Sequence, residues 1–145
     1  MIKKTVRYKD FDGHNVEETY YFNLTRAEVD DIDTEEKGGF AGLLNSLIDR
    51  GTGRGILSVF KKLILKSVGV KSNDGRRIIK NQDILDDFTQ SDAYSEVLYD
   101  VVSSTESALT FIKGIMPYDH LAPEDKAKFD QQFNDILEET RKAEE

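Results

Sequence analysis

Two short runs in this 145-residue chain have residue types and spacings that could support chemistry. The run Gly51-Thr-Gly-Arg-Gly55 is glycine-rich, as phosphate-binding loops are, but it lacks the Lys-Ser/Thr pair and follows a predicted helix instead of a strand. This context favours a connector between helices. The acidic residues at positions 30–36 could offer oxygen ligands to a metal, but their spacing does not follow a calcium-binding loop, so we interpret them as a solvated acidic face.

The two histidines, His14 and His120, lie beside turn residues in separate parts of the sequence. Neither has a nucleophile or an orienting carboxylate at the spacing of a catalytic triad. A histidine in a loop is more often a surface or packing residue than a catalytic group. We therefore expect no enzyme activity, no catalytic residue, no metal site and no cofactor.

Composition indicates what kind of molecule must carry any function. At 145 residues and 38% hydrophobic, the chain has the length and apolar content of one domain with a core. Cysteine is absent, which excludes disulfides and permits a reducing compartment. No apolar run approaches the roughly 20 residues that span a bilayer. We expect a soluble protein with no membrane partner.

Alternation between apolar and polar residues over positions 2–22 predicts a β-hairpin. A three-residue loop at positions 11–13, with Gly13 in the left-handed conformation, would place Tyr8 opposite Val16 and Ile2 opposite Phe22. The shorter Asp-Gly turn would move the apolar residues of one strand to the wrong face. Two strands alone are barely stable, so the hairpin must lie on helices or pair with another chain.

Apolar residues spaced three and four apart predict a helical body over residues 25–137. Thr25 and Glu28 form a capping-box pattern, and the first long helices are predicted to start near Phe40 and after Gly55. The latter helix is expected to include Val68 and to end with Gly69 at its C′ position. Later starts are predicted at caps Asn81 and Ser91 and at Pro123, while Ser103-Ser104-Thr105 weakens a helix without clearly ending it.

The predicted fold is therefore α+β, a mostly α-helical single domain with an N-terminal β-hairpin. The domain is expected to cover residues 1–137, and residues 138–145 form an acidic C-terminal tail that should fray.

Charge is distributed unevenly along the chain. Residues 1–80 carry a net charge of +3 and residues 81–145 carry −11, within a total of −8. Positions 54–80 hold eight basic residues and a single acidic residue, Asp74. Within this region Ser72-Asn-Asp-Gly75 is a turn signal, so residues 69–80 are predicted to form an exposed, basic connector.

This basic region is the candidate partner-binding surface. Its predicted members, with the outward-facing Tyr21 of the hairpin, are Lys61, Lys62, Lys66, Lys71, Arg76, Arg77 and Lys80. One alternative is a small regulatory protein that binds nucleic acid through this region, but the acidic second half would repel phosphates. The other interpretation is that acidic surface of the same or a neighbouring subunit covers the basic residues.

Four segments in series resemble the tail assembly chaperones of siphophages. They are YFNLTRAE at 21–28, GVKSNDGRRIIK at 69–80, AYSE at 93–96 and FIKGIMP at 111–117. The order and spacing agree across about residues 18–117.

The resemblance implies a non-enzymatic phage protein that binds and solubilises the tape measure protein and helps recruit tail tube subunits. It further implies action in the cytoplasm of the bacterial host, absence from the mature virion, and self-association as a homo-oligomer, in a ring or a short stack. The predicted partners are thus the tape measure protein, the tail tube protein and further copies of the chain. Nucleic acid is not an expected partner.

Overall fold

The predicted hairpin forms at the N-terminus in the computed structural model, which describes residues 1–43 and 53–144. Strand β1 (Ile2–Lys9) is antiparallel to β2 (Asn15–Phe22), and Tyr8 lies opposite Val16 as predicted. Gly13 has a φ of 85°, a left-handed conformation that costs glycine no steric strain. The longer loop and its register are therefore confirmed.

Helix α1 (Arg26–Glu35) follows the hairpin after a short loop. Thr25 Oγ1 accepts the backbone N–H of Glu28 at 3.2 Å, and Glu28 Oε1 accepts the backbone N–H of Thr25 at 3.0 Å. The predicted capping box is confirmed. Residues 39–43 are also helical, with Phe40 and Leu43 buried. The remainder of the helix predicted after Phe40 lies outside the described residues.

Helix α2 (Gly53–Ser67) begins three residues before the predicted start, which was the residue after Gly55, and ends one residue earlier than predicted. Val68 is the first residue of strand β3 (Val68–Lys71), so the prediction that the helix continues to Val68 and ends with Gly69 at C′ is wrong. Tyr21 of β2 pairs with Gly69. This tertiary pairing overrides the local helical periodicity, so the backbone from Val68 onwards is a strand.

The predicted connector at residues 69–80 is a second β-hairpin. Strand β3 pairs with β4 (Ile78–Ile79), which gives an antiparallel sheet in the order β1-β2-β3-β4. Gly69 is required where these strands meet, since a Cβ there would lie 2.5 Å from Ile78 Cγ2 and 2.8 Å from the carbonyl oxygen of Ile79.

The second half of the chain is helical, as predicted. Its elements are α3 (Gln82–Thr89), α4 (Ala93–Val101), α5 (Thr105–Ile115), a 3-10 turn (Tyr118–His120) and α6 (Pro123–Glu144). Asn81 caps α3 by accepting the N–H of Ile84, and Pro123 is the first residue of α6, so both predicted starts are confirmed. The helix is continuous to Glu144, and fraying of the tail remains a prediction.

Serine residues act differently from the predictions at both ends of α4. Its N-cap position is Asp92, and Ser91 Oγ instead donates to the carbonyl of Asp87 at 2.8 Å while accepting the N–H of Ala93. The helix ends at Val101 because Ser104 caps the next helix, where its Oγ accepts the N–H of Ser107 at 3.0 Å. The serine run therefore separates two helices.

Aromatic side chains join the hairpin to the helical body. Phe22 of β2 is fully buried, and its ring centroid lies 6.0 Å from that of Phe88 on α3 and 5.6 Å from that of Phe111 on α5. Tyr20 packs edge-on against Phe88 at 4.9 Å. The hairpin thus places one face on the helices, and no helix of residues 1–43 or 53–144 forms a layer on the opposite face of the sheet.

Candidate partner-binding surface

Helix α2 turns two of the predicted cations towards α1. Lys62 and Lys66 are four residues apart and therefore lie on one side of the helix. Lys62 Nζ lies 3.0 Å from a carboxylate oxygen of Glu36, and Lys66 Nζ lies 2.8 Å from one of Glu35. Exposed pairs of this kind contribute about 0.2–1 kcal/mol each. Their main effect at this surface is to neutralise part of the basic region.

Lys80 differs from the other predicted contact residues because it points into the fold. Its Nζ lies 2.6 Å from Glu28 Oε2 and donates to the carbonyl oxygens of Asn23 at 2.7 Å and Lys66 at 3.1 Å. The Lys66 carbonyl belongs to the last turn of α2, where a cation is favoured by the helix dipole. The side chain of Lys80 is 24% exposed. The prediction of an exposed residue is wrong at this position.

The turn between β3 and β4 is held by hydrogen bonds around Ser72 and Asp74. Ser72 Oγ donates to Asp74 Oδ1 at 2.6 Å, and the same oxygen of Asp74 accepts the backbone N–H of Arg76 at 3.0 Å. These two hydrogen bonds lower the pKa of the Asp74 carboxyl below its ordinary value, that from Ser72 having the larger effect. The ordered turn presents the exposed side chains of Arg76 and Arg77.

Tyr21 and Lys71 meet on the sheet face opposite the helical body, which no helix of the described residues covers. The ammonium of Lys71 lies 5.2 Å from the centroid of the Tyr21 ring, a cation–π contact that contributes about 0.5–1 kcal/mol at an exposed site. Ile78 is opposite Lys71, and Lys3 is opposite Tyr21, so all four strands contribute to this surface. We call it the open sheet face, defined by Lys3, Tyr21, Lys71 and Ile78.

Much of the positive charge of the basic region is thus paired with carboxylates of the same chain. Four of its seven predicted cations face carboxylates, in the pairs Lys62–Glu36, Lys66–Glu35, Lys80–Glu28 and Arg76–Asp74. Lys61 and Arg77 are exposed and make no ion pair within the described part of the chain. These pairs favour the interpretation that acidic groups of the same subunit cover basic residues over the interpretation that the region binds nucleic acid.

Sequence reasoning missed the carboxylates that receive these lysines. Glu28, Glu35 and Glu36 are seven and eight residues apart, a spacing that places them on one side of a helix. This spacing is a usable signal, although the acidic run was interpreted as a solvated face. The acidic side chain of Asp33 also has a structural role, since its Oδ1 accepts the backbone N–H of Phe40 at 2.5 Å.

The first hairpin loop groups three side chains that can bind metals. Asp10, Asp12 and His14 each offer a ligand atom, and these atoms lie within 4.8 Å of one another. Asp10 Oδ1 already accepts the backbone N–H groups of Asp12 and His14, at 3.0 and 2.8 Å, which explains why these residues come together. His120 is exposed on the 3-10 turn. The glycine-rich run at 51–55 begins outside the described residues.

Comparison with known protein families decides what kind of protein carries this surface. A family model described as phage tail assembly chaperone matches residues 1–145, the whole chain. The chain belongs to the phage tail assembly chaperones. This confirms the resemblance carried by the four sequence segments. No curated protein and no solved structure matches the chain.

Membership of a tail assembly chaperone family indicates a non-enzymatic role in which other tail proteins are the partners. In this tail assembly chaperone, no helix of the described residues has the length and apolar character needed to cross a membrane.

Proposed function

We propose that this tail assembly chaperone binds and solubilises the tape measure protein of its phage and helps recruit tail tube subunits. The observation that carries the proposal is the family match over all 145 residues. We further propose that the chaperone acts in the cytoplasm of the bacterial host and leaves the tail before the virion is complete.

The physical need for such a chaperone follows from the nature of its client. A very long amphipathic helix that is made before its tube exists exposes an apolar stripe, and exposed apolar surface leads to aggregation. A coat of chaperone molecules would cover this stripe. Each contact must nevertheless break readily as tube subunits arrive, so we propose many weak contacts instead of a few strong ones.

Tyr21, Lys61, Lys71, Arg76 and Arg77 are the proposed contact residues. Support comes from their position on the open sheet face, the β3–β4 turn and the exposed side of α2. Lys62, Lys66 and Lys80 remain in the proposed surface, but each lies 3.0 Å or less from a carboxylate of its own chain, closer than the 3.6 Å between Arg76 and Asp74. We expect these three to contribute less to recognition.

Self-association is part of the proposal, because a coat along an extended client brings copies of the chaperone side by side. A surface divided between a basic first half and an acidic second half can dock head to tail, which generates a ring or a short stack. Light scattering at moderate salt tests this, and a monomer at every accessible concentration would contradict it.

The nucleic-acid alternative receives less support than a protein partner. Four of the seven cations already face carboxylates, which reduces the net positive charge available to phosphates. A gel-shift titration at low salt distinguishes the two functions. Binding that weakens steeply as salt rises would favour nucleic acid.

Co-expression with the tape measure protein of the same phage tests the main proposal. We expect the tape measure protein to move from the pellet to the supernatant and to be recovered with the chaperone in a pull-down. If it stays insoluble and no complex is recovered, the proposal is wrong.

A matched pair of variants then tests the surface. The triple substitution Lys71→Ser, Arg76→Ser, Arg77→Ser removes three positive charges from the β3–β4 hairpin. The control replaces Lys113, Lys126 and Lys128 with Ser, which gives the same change in net charge at positions outside the basic region. We expect only the first variant to lose tape measure solubilisation. Equal behaviour of the two variants would remove the β3–β4 hairpin from the binding surface.

A further inference from the structure

Strand β1 has one edge that pairs with β2 and another that meets no strand in the part of the chain that the structure describes. The backbone N–H of Asp10 donates to the carbonyl of His14 at 2.9 Å, which identifies this as a hydrogen-bonded pair. Such pairs alternate along antiparallel strands, so the even-numbered residues of β1 bond to β2. The backbone groups that point away from the sheet therefore belong to Lys3, Thr5, Arg7 and Lys9.

These same four residues also direct their side chains to the open sheet face, because side chains alternate along a strand. Three of the four are cations, and β1 contains no acidic residue. Within the described residues, the carboxylate that pairs with them is Glu17, whose Oε2 lies 2.7 Å from Arg7 Nε. The free edge thus combines unpaired backbone groups with a row of positive charge.

The charge of this edge disfavours a second copy of itself. An antiparallel β1–β1 pair centred on the strand would set Lys3 near Lys9, and a parallel pair would set each cation beside its own counterpart. Like charges directly opposite one another destabilise a sheet, and lysines on an edge strand are a known protection against aggregation. A strand with carboxylates at alternate positions would instead place opposite charges across the pair.

Space beside β1 is available for such a strand. A groove of about 350 Å³ lies between β1 and α4, and its lining includes Val6 and Val97 together with the carboxylates of Glu96 and Asp100, so it suits the neutral side chains between the carboxylates of an added strand. A second groove of about 460 Å³ shares Lys4 and Asp100 with the first and extends to α5. These two shared residues form an ion pair at 2.5 Å. Side chains on the inward face of an added strand would enter these grooves.

We propose that the outer edge of β1 binds an extended, acidic segment of a partner protein as an additional strand, with its alternate carboxylates facing Lys3, Arg7 and Lys9. A protein segment fits better than nucleic acid because the outward N–H and C=O groups require a backbone with both donors and acceptors. The proposal goes beyond tape measure binding, since it concerns the chemistry of an edge and is tested without the tape measure protein.

Peptides and hydrogen exchange provide the test on the full-length protein. The probe is a peptide with Glu at alternate positions and Thr or Val between them, and its two controls carry Lys for Glu or the same Glu residues in one block. We expect the alternating Glu peptide to bind at least ten-fold more tightly than either control. We also expect binding to slow amide exchange at Lys3, Thr5, Arg7 and Lys9, whose N–H groups meet no other strand within the described residues.

Charge reversal supplies a second readout. The double substitution Lys3→Glu, Lys9→Glu should reduce affinity for the Glu peptide at least ten-fold and make the Lys peptide the better ligand. The control double substitution Lys37→Glu, Lys128→Glu makes the same change in net charge at two exposed positions outside β1 and should leave the preference unchanged. Both variants keep the residues that bond β1 to β2.

Three results would overturn the proposal. The first is equal affinity for the Glu and Lys peptides. The second is binding without protection of the four odd-numbered amides, which would place the peptide elsewhere. The third is a single-stranded oligonucleotide that displaces the Glu peptide and binds more tightly, with the steep salt dependence of phosphate contacts.

Discussion

Lys80 at the end of the second hairpin forms an ion pair with Glu28, which lies 52 positions earlier in the first turn of α1. The same ammonium donates to carbonyl oxygens at the end of β2 and the end of α2. One side chain therefore connects four elements at the point where the sheet meets the helices. Lys80, the last residue of the predicted basic connector at 69–80, therefore has a structural role.

Replacing Lys80 with Met should destabilise the protein while keeping most of the side-chain volume. The substitution removes the ammonium from Glu28 Oε2 and from two carbonyl oxygens, and the expected loss in the free energy of unfolding is about 1–3 kcal/mol. Arg77→Met is the matched control, because Arg77 is exposed and should change stability by less than about 0.5 kcal/mol. Urea denaturation measures both, and equal losses would contradict the structural role of Lys80.

Replacing Gly69 with Ala should disturb the contact between β3 and β4. The added Cβ would lie 2.5 Å from Ile78 Cγ2 and 2.8 Å from the Ile79 carbonyl oxygen, so the strands must separate. Overpacking of this kind costs about 1–3 kcal/mol. Lys71→Ala in the same strand is the control, because its exposed side chain leaves no clash. The same denaturation measurement would refute the prediction if Gly69→Ala were no worse than Lys71→Ala.

Alkaline pH should destabilise the protein through Tyr20. Burial raises the pKa of its hydroxyl above the ordinary value of 10.0, and the hydrogen bond that it donates to Glu18 at 2.6 Å adds to the effect. A raised pKa means that the stabilising contribution is complete below pH 10 and declines as pH rises towards the folded-state pKa. Stability should therefore fall above about pH 10.

Tyr20→Phe separates this effect from lysine titration in the same range. The variant keeps the ring that packs on Phe88 but has no hydroxyl to ionise. Its free energy of unfolding should decline less steeply between pH 9 and 11 than that of the parent protein. Parallel declines in the two proteins would show that Tyr20 is not responsible.

Acid titration should reveal the ordered β3–β4 turn. Hydrogen bonds from Ser72 and from the N–H of Arg76 lower the pKa of Asp74 below its ordinary value of 3.8. Their stabilising contribution is present above the ordinary pKa and is lost as pH falls through the lowered value. Carbon-detected NMR of the carboxyl should show the lowered pKa, and Ser72→Ala should raise it towards the ordinary value. An unchanged pKa in Ser72→Ala would assign the shift to another cause.

Local rules in the sequence were sufficient for much of the fold. The alternation over residues 2–22 and the need for Gly13 in the loop specified the register of the first hairpin, because a slip of one residue exposes its apolar face. The capping box of Thr25 and Glu28 and the cap at Asn81 could also be predicted, because a capping residue and the N–H that it satisfies are only three positions apart. The resemblance to the family was likewise carried by short contiguous segments, which can be recognised without knowledge of the tertiary structure.

Tertiary structure decided the rest, namely the second hairpin and the partners of the lysines. Strand β4 has two residues, too few for alternation to be visible, and β3 forms because β2 offers backbone partners to Val68 and Gly69. Spacing along a helix places Lys62 and Lys66 on one side, but only the packing of α1 beside α2 determines which carboxylates they meet. Periodicity specifies the faces of an element, whereas the position of that element against distant parts of the chain depends on burial shared by the whole core.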